Sequence, residues 1–495
     1  MDGARRGETR KKWEMKPGMA GSPDCAYRAG RRRDFQALLE DGRAMATGTE
    51  HGEFTIPTSR INQVAPTQVV DVAELYNHRR PTTNFAGRLA KLLFFSHLIA
   101  TVILISFLSI AAFVSPSLLS FHFLLHWHAP LLVAAAASAA ISLLFLFVSL
   151  RHPATAIKSS FWLSPVLACA VAVILLADGT ALGLAFAVPF LLLALIQSLH
   201  ACWTARRLRH AYAILSAAVA SVPPSFALVN FLSLSLLALL AFFALWTLGA
   251  GGVAAGVHSR YDAVYLILLL IGLWWTAQAV RYTVFVAVAQ IAYLRLACGI
   301  TIPAAAAFES ASKRALGDVC CAAALVPLVA ATRAVARAMS AGGSDEFMFS
   351  CGWCFKGVAD GAVARANRWG LVYVGVYGRG LWSSSAEAWE MFNKQGMERL
   401  IDLDLTGSFC LFCGVAGGGV STLVAGSWMI AAGSDHSTEA KLYAFIIGYF
   451  MARIGMAWPQ ACVAAYHVVF AENPQMSSCI GARMRELQQS SSPPD

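Results

Sequence analysis

Three groups of side chains in this 495-residue chain have types and spacing that could do chemistry in an apolar setting. Trp275, Gln278 and Tyr282 fall at i, i+3 and i+7 in the run Trp274-Trp275-Thr276-Ala277-Gln278-Ala279-Val280-Arg281-Tyr282, so a helix would carry them on one face. Tyr373 and Tyr377 are four apart and would share a face in the same way. Asp318, in Gly317-Asp318-Val319-Cys320, opens another apolar run. Aromatic faces attract cations and suit one with few hydrogen-bonding protons, such as a quaternary ammonium. The same spacing also fits an aromatic belt at a membrane interface, or plain packing. Asp318, so close to a boundary, fits a solvated helix cap as well as a site. Arg281 and Arg453 stand inside apolar runs, where a charge is costly and by default faces a partner or a water-filled path. For both, snorkelling or pairing with a helix C-terminus is the plainer reading.

Other chemistries are poorly represented. The chain has no Walker A lysine loop, no nucleophile elbow and no HExxH, so no catalytic residue and no enzyme are expected. Cys351-Gly-Trp-Cys354 and Cys410-Leu-Phe-Cys413 have zinc-ligand spacing. The second pair lies in an apolar run, and a thioredoxin-like reading needs a βαβ context that is absent. Palmitoylation of Cys351 or Cys354 near a membrane surface, or unmodified thiols, fit better. No metal and no cofactor are expected. The net charge of +10 does not point to nucleic acid, because fifteen Lys and Arg precede Lys91. That distribution predicts a cytosolic basic tail touching anionic membrane lipids.

The elements that must position these residues are membrane helices. Hydrophobic residues make up 57% of the chain and charged residues 13%, against roughly 25% charged in soluble domains. Apolar runs long enough to cross a bilayer recur, and no ten-residue alternation suggests a β-barrel. The expected fold is all-α, a polytopic transmembrane helical bundle of about ten spans. A basic, mostly disordered cytosolic tail is expected over 1–88, without a secretory signal. The transmembrane domain occupies 89–463, and a cytosolic tail follows over 464–495. Nine spans are expected near 92–114, 130–150, 161–176, 181–202, 226–248, 261–291, 317–331, 406–432 and 442–463. An interfacial amphipathic helix is expected over 204–222, ended by Pro223-Pro224.

Basic residues place the N-terminus, 151–158, 204–222 and 313–314 inside, and the loops 115–129 and 177–180 outside. Nine spans would then leave the basic segment 333–405 outside. A tenth, broken span in 369–382, or a seventh run that does not cross, repairs this; the broken span is preferred. Gly375, Gly378 and Gly380 fit a helix break there. Gly414 and Gly418, four apart, fit close helix packing.

Residues 367–392, Asn-Arg-Trp-Gly-Leu-Val-Tyr-Val-Gly-Val-Tyr-Gly-Arg-Gly-Leu-Trp-Ser-Ser-Ser-Ala-Glu-Ala-Trp-Glu-Met-Phe, resemble the signature of the choline transporter-like family. Trp275-Thr276-Ala277-Gln278, Gly317-Asp318-Val319-Cys320, Ile447-Gly448-Tyr449 and Glu472-Asn473-Pro474 resemble further motifs of that family, so the likeness runs over about 206–474. Asp318 stands where the family usually has Ser, and Arg281 also departs from its pattern. The short loop 115–129 without a glycosylation site is similar to the plant and fungal branch. The resemblance implies a solute carrier for choline or a related amine such as ethanolamine, working by alternating access without ATP hydrolysis. It would sit in the plasma membrane, or an endomembrane such as the trans-Golgi. Trp275, Gln278, Tyr282, Tyr373 and Tyr377 would line the cation site, and Asp318 would balance charge or carry a coupled proton. The competing reading is a non-transporting membrane organiser or trafficking factor that uses the tail and Cys351 and Cys354.

Overall fold

The computed structural model of the chain describes residues 85–114, 118–205, 208–256, 261–342, 357–397, 400–401, 404–432 and 437–473. The basic tail before Phe85, Cys351 and Cys354 lie outside the described residues. The described residues form helices and no strand: α1 (Phe85–Val114), α2 (Leu118–Arg151), α3 (Pro153–Ala177), α4 (Ala181–Thr204), α5 (Leu208–Ala220), α6 (Phe226–Gly256), α7 (Asp262–Cys298) and the short α8 (Ala304–Glu309). Then follow α9 (Leu316–Gly342), α10 over 357–365, α11 (Gly370–Tyr377), α12 (Leu381–Lys394), α13 (Thr406–Ala432), α14 (Ser437–Gly455) and α15 (Ala457–Glu472). Eight are long and apolar enough to cross a membrane, and the bent pair α14–α15 makes up to nine. The expected tenth span in 369–382 is not among them.

Helix bounds differ from the expected spans where polar residues precede an apolar run. The stretch expected as the outer loop 115–129 is helical from Leu118 onward. Helix α3 starts at Pro153, whose fixed φ and missing N–H suit a first helical turn. Helix α7 runs past the expected 291 because nothing stops it before Gly299, whose left-handed φ of 69° ends it. The last span continues beyond the expected 463 to Glu472 and bends by 44° at Met456. Pro459 explains the bend, since it cannot donate to the Gly455 carbonyl four residues back and its ring crowds that carbonyl.

Close packing gathers α2, α13 and α14. A Cβ on Gly417 would lie 2.5 Å from Ala452 Cβ, and one on Gly448 would lie 2.7 Å from the Gly417 carbonyl. Backbones this near allow only glycine. Ser421 donates to the Ala134 carbonyl and Ser138 to the Gly448 carbonyl, both at 2.9 Å. These bonds give the helices polar glue where no water competes.

One ion pair bears on topology. Lys441, with 0% of its side chain exposed, donates to Asp178 in the α3–α4 turn, and Thr438 donates to the other Asp178 oxygen at 2.6 Å. The turn 177–180 and the start of α14 therefore share a membrane face. A simple run of nine crossings would put them on opposite faces. Two arrangements meet the condition: the α11–α12 segment crosses, or α9 stays on one face. Both return the two ends of the bundle to the same side.

Candidate functional site

The α11–α12 break and the end of α15 bring two tyrosines to one carboxylate and a third to one of those tyrosines. Helix α11 ends at Gly378, whose φ of 63° is a conformation that side-chain-bearing residues rarely adopt. Gly378-Arg379-Gly380 then turns the chain into α12. Gly375 lets α11 press on α7, because a Cβ there would sit 3.1 Å from both the Val286 side chain and its carbonyl. Tyr373 and Tyr377, one turn apart, have ring centroids 5.5 Å apart, and the Tyr377 ring lies 6.1 Å from that of Tyr293 on α7. Tyr373 donates to Glu472 Oε1 at 2.8 Å and Tyr293 donates to Oε2 at 2.7 Å. The Tyr293 and Tyr377 hydroxyls meet at 2.8 Å.

Tyr293 and Tyr373 are each only 3% exposed, whereas Glu472 is exposed. The cluster therefore has an apolar, aromatic inner side and a wet carboxylate end. Arg379, paired with Glu387 at 3.0 Å, lies over the Tyr377 ring at 5.6 Å. A cation thus already uses one face of the cluster.

The remaining candidates occupy other settings. Trp275 donates its ring N–H to the Cys320 carbonyl at 3.1 Å and packs against Phe94 and His97. Gln278 accepts from Arg281 at 3.0 Å, and that guanidinium lies 5.0 Å from the centre of the Tyr282 ring. Asp318 accepts from the backbone N–H of Leu381 at 2.9 Å. Gly380, at the N-cap of α12, has no side chain to offer, so Asp318 caps that helix from α9.

A second tie holds the hairpin. Arg368 pairs with Asp404 at 2.7 Å, and Asp404 in turn accepts from the Thr406 N–H at the start of α13. Burial alone would raise the Asp404 carboxyl, but Arg368, His467 and the Thr406 hydrogen bonds together outweigh it and hold the group below the usual carboxylate range. Among the described residues no group of three His, Cys, Asp or Glu could hold a metal ion.

A family model described as a plasma-membrane choline transporter matches residues 188–475, more than half of the chain. The chain belongs to the choline transporter family. No curated protein matches it. The matched stretch contains α7, the α11–α12 break, the α14–α15 bend and all four members of the tyrosine–glutamate cluster. With eight to nine apolar helices of membrane-crossing length, this choline transporter family chain is a multi-pass membrane transporter.

Two members of the cluster escaped the spacing argument. Tyr293 lies eleven residues beyond Tyr282, three helical turns along one face, and could have been found by extending that face. Glu472 stands in the motif Glu472-Asn473-Pro474, but nothing in the sequence shows which tyrosines a terminal carboxylate reaches.

Proposed function

We propose that this family member moves choline or a closely related amine such as ethanolamine across the plasma membrane without ATP hydrolysis, with Tyr293, Tyr373, Tyr377 and Glu472 forming its cation site. The observation that carries the reading is the convergence of the Tyr293 and Tyr373 hydroxyls on one carboxylate, with the Tyr377 hydroxyl joined to that of Tyr293. A quaternary ammonium offers no N–H, so it is recognised by ring faces and by negative charge rather than by hydrogen bonds. Hydroxyls donating to both Glu472 oxygens fix the carboxylate and leave its charge directed at a neighbouring cation. The choline hydroxyl could join that same network.

The cluster lies where α11 ends in a left-handed glycine and α15 closes a bent span. Transporters of several folds place substrate at such discontinuous helices, because unwound ends free polar groups and permit rocking between inward and outward states. The Asp318 bond to Leu381 favours a structural role for that carboxylate over a coupled proton. Radiolabelled choline uptake into proteoliposomes tests the proposal: saturable, protein-dependent flux that unlabelled ethanolamine competes is the expected result. Absence of any saturable flux for either amine overturns it.

A further inference from the structure

A second charged cluster lies on the same helices and has the opposite sign. Arg281 on α7 is 5% exposed and donates to the side-chain oxygens of Gln278 at 3.0 Å and of Gln460 on α15 at 2.5 Å. These amides satisfy its N–H groups but supply no negative charge. The other charge acting most strongly on Arg281 is a second guanidinium, that of Arg453 on α14. Arg453 Nε and Nη1 are sealed from solvent and have no hydrogen-bond partner among the described residues. Neither arginine has an ion-pair partner among the described residues. The other polar side chains beside Arg281 are Tyr282, Tyr449 and Cys410.

Burying charge without a counter-charge is unfavourable, and here Arg281 is buried and Arg453 part-buried. Arg453 lies seven residues, two helical turns, before Gln460 on the bent α14–α15 pair. Packing limits what could fit. A Cβ on Gly414 of α13 would already lie 2.8 Å from Arg453 Cδ and 2.8 Å from the Tyr449 ring.

We propose that Arg281 and Arg453, with Gln460, bind a small monovalent inorganic anion such as chloride. Two guanidinium groups match an anion by charge, and an anion would give the sealed Arg453 donors the partner they lack among the described residues. A monatomic ion asks for the least space beside this close helix contact.

The test is equilibrium binding of radiolabelled chloride to the purified full-length protein in detergent, at constant ionic strength with gluconate as the replacement salt. Saturable binding of about one ion per chain, displaced by bromide and not by gluconate, is expected; about one follows from one guanidinium pair per chain. Arg453→Gln keeps a donor and removes the charge, and should weaken chloride by at least about tenfold, the loss of one charge-assisted hydrogen bond. Arg281→Gln serves as the second variant if the first fails to fold. No saturable binding to the unaltered protein, or unchanged affinity in a folded variant, overturns the proposal. The assay contains no amine, so its outcome stands apart from the transport reading.

Discussion

The seam between α7 and α15 carries two polar clusters of opposite character. Tyr293 meets Glu472 at one level, and Arg281 meets Gln460 at the other. Each pair is twelve residues from its counterpart on both helices, so the helices run parallel in register and the clusters stand about 18 Å apart along the seam. At the first level a carboxylate is surrounded by donors, and one of its flanking rings already faces a cation. At the second a guanidinium is surrounded by neutral acceptors and a like charge. Helix packing alone would have been served by alanine and leucine at both levels. The difference shows where each sign of charge can be accepted: a permanent cation fits the tyrosine level and is repelled by the arginine level unless an anion sits there.

The largest effect expected from breaking this contrast is at Glu472. Glu472→Gln keeps size and hydrogen-bonding capacity but removes the negative charge from the tyrosine level. Choline uptake, as kcat/KM in proteoliposomes, should fall by about 100-fold, the scale of a charge-assisted contact of 2–3 kcal/mol. Uptake within a few-fold of the unaltered protein would mean that the cluster only holds α11 in place.

At the arginine level the expected effect is on stability. Gln460→Leu leaves a buried Arg281 N–H without its acceptor. A stranded buried donor costs about 1–3 kcal/mol, more when charged, so thermal unfolding in detergent should shift down. Gln460→Glu sharpens the test, since it supplies the missing counter-charge: it should raise the unfolding temperature while lowering chloride affinity.

These arguments bear on what a sequence can reveal. The membrane helices were readable because a bilayer demands about twenty apolar residues in a row, and α13 begins and ends where its hydropathy does. The break after Tyr377 was readable from three glycines around Arg379. What hydropathy cannot show is a break inside a uniformly apolar run. Pro459 was the available sign of the α14–α15 bend, yet Pro130, Pro165, Pro189 and Pro327 each sit inside a single helix. Five of the six candidate residues were chosen by face and Asp318 as a charge opening an apolar run, but neither sign names a partner. Tyr373 and Tyr377 came together as their spacing suggested, Gln278 and Tyr282 meet at Arg281, and Trp275 and Asp318 went to other neighbours.

The Arg368–Asp404 pair gives a charged reference in which both partners are present. The folded Asp404 carboxyl is held below its unfolded value, so it contributes stability that is fully present above about pH 4 and is lost as pH falls through the lower folded value. Unfolding temperature should therefore be insensitive to this group between pH 6 and pH 8 on the scale of about 1 °C, and decline only in acid. Arg368→Gln removes the largest effect opposing burial, which moves the decline towards neutral pH. A variant whose acid profile is unchanged would show that His467 and the Thr406 bonds, not Arg368, set the carboxyl.

The smallest effect separates ring from hydroxyl at the tyrosine level. Tyr377→Phe keeps the aromatic face and removes the bond to the Tyr293 hydroxyl. Choline, recognised by ring and charge, should lose about threefold or less in uptake, because one neutral hydrogen bond contributes about 0.5–1.5 kcal/mol and part of it is recovered by water. Ethanolamine carries N–H groups that need oxygen acceptors, so its uptake should fall further than that of choline in the same variant. Tyr377→Ala reverses the order, since the lost ring face matters most to the quaternary ammonium. Equal losses of both amines in both variants would mean that Tyr377 acts only by packing α11 against α7, and would leave Glu472 and the chloride-binding arginines as the functional contrast along the seam.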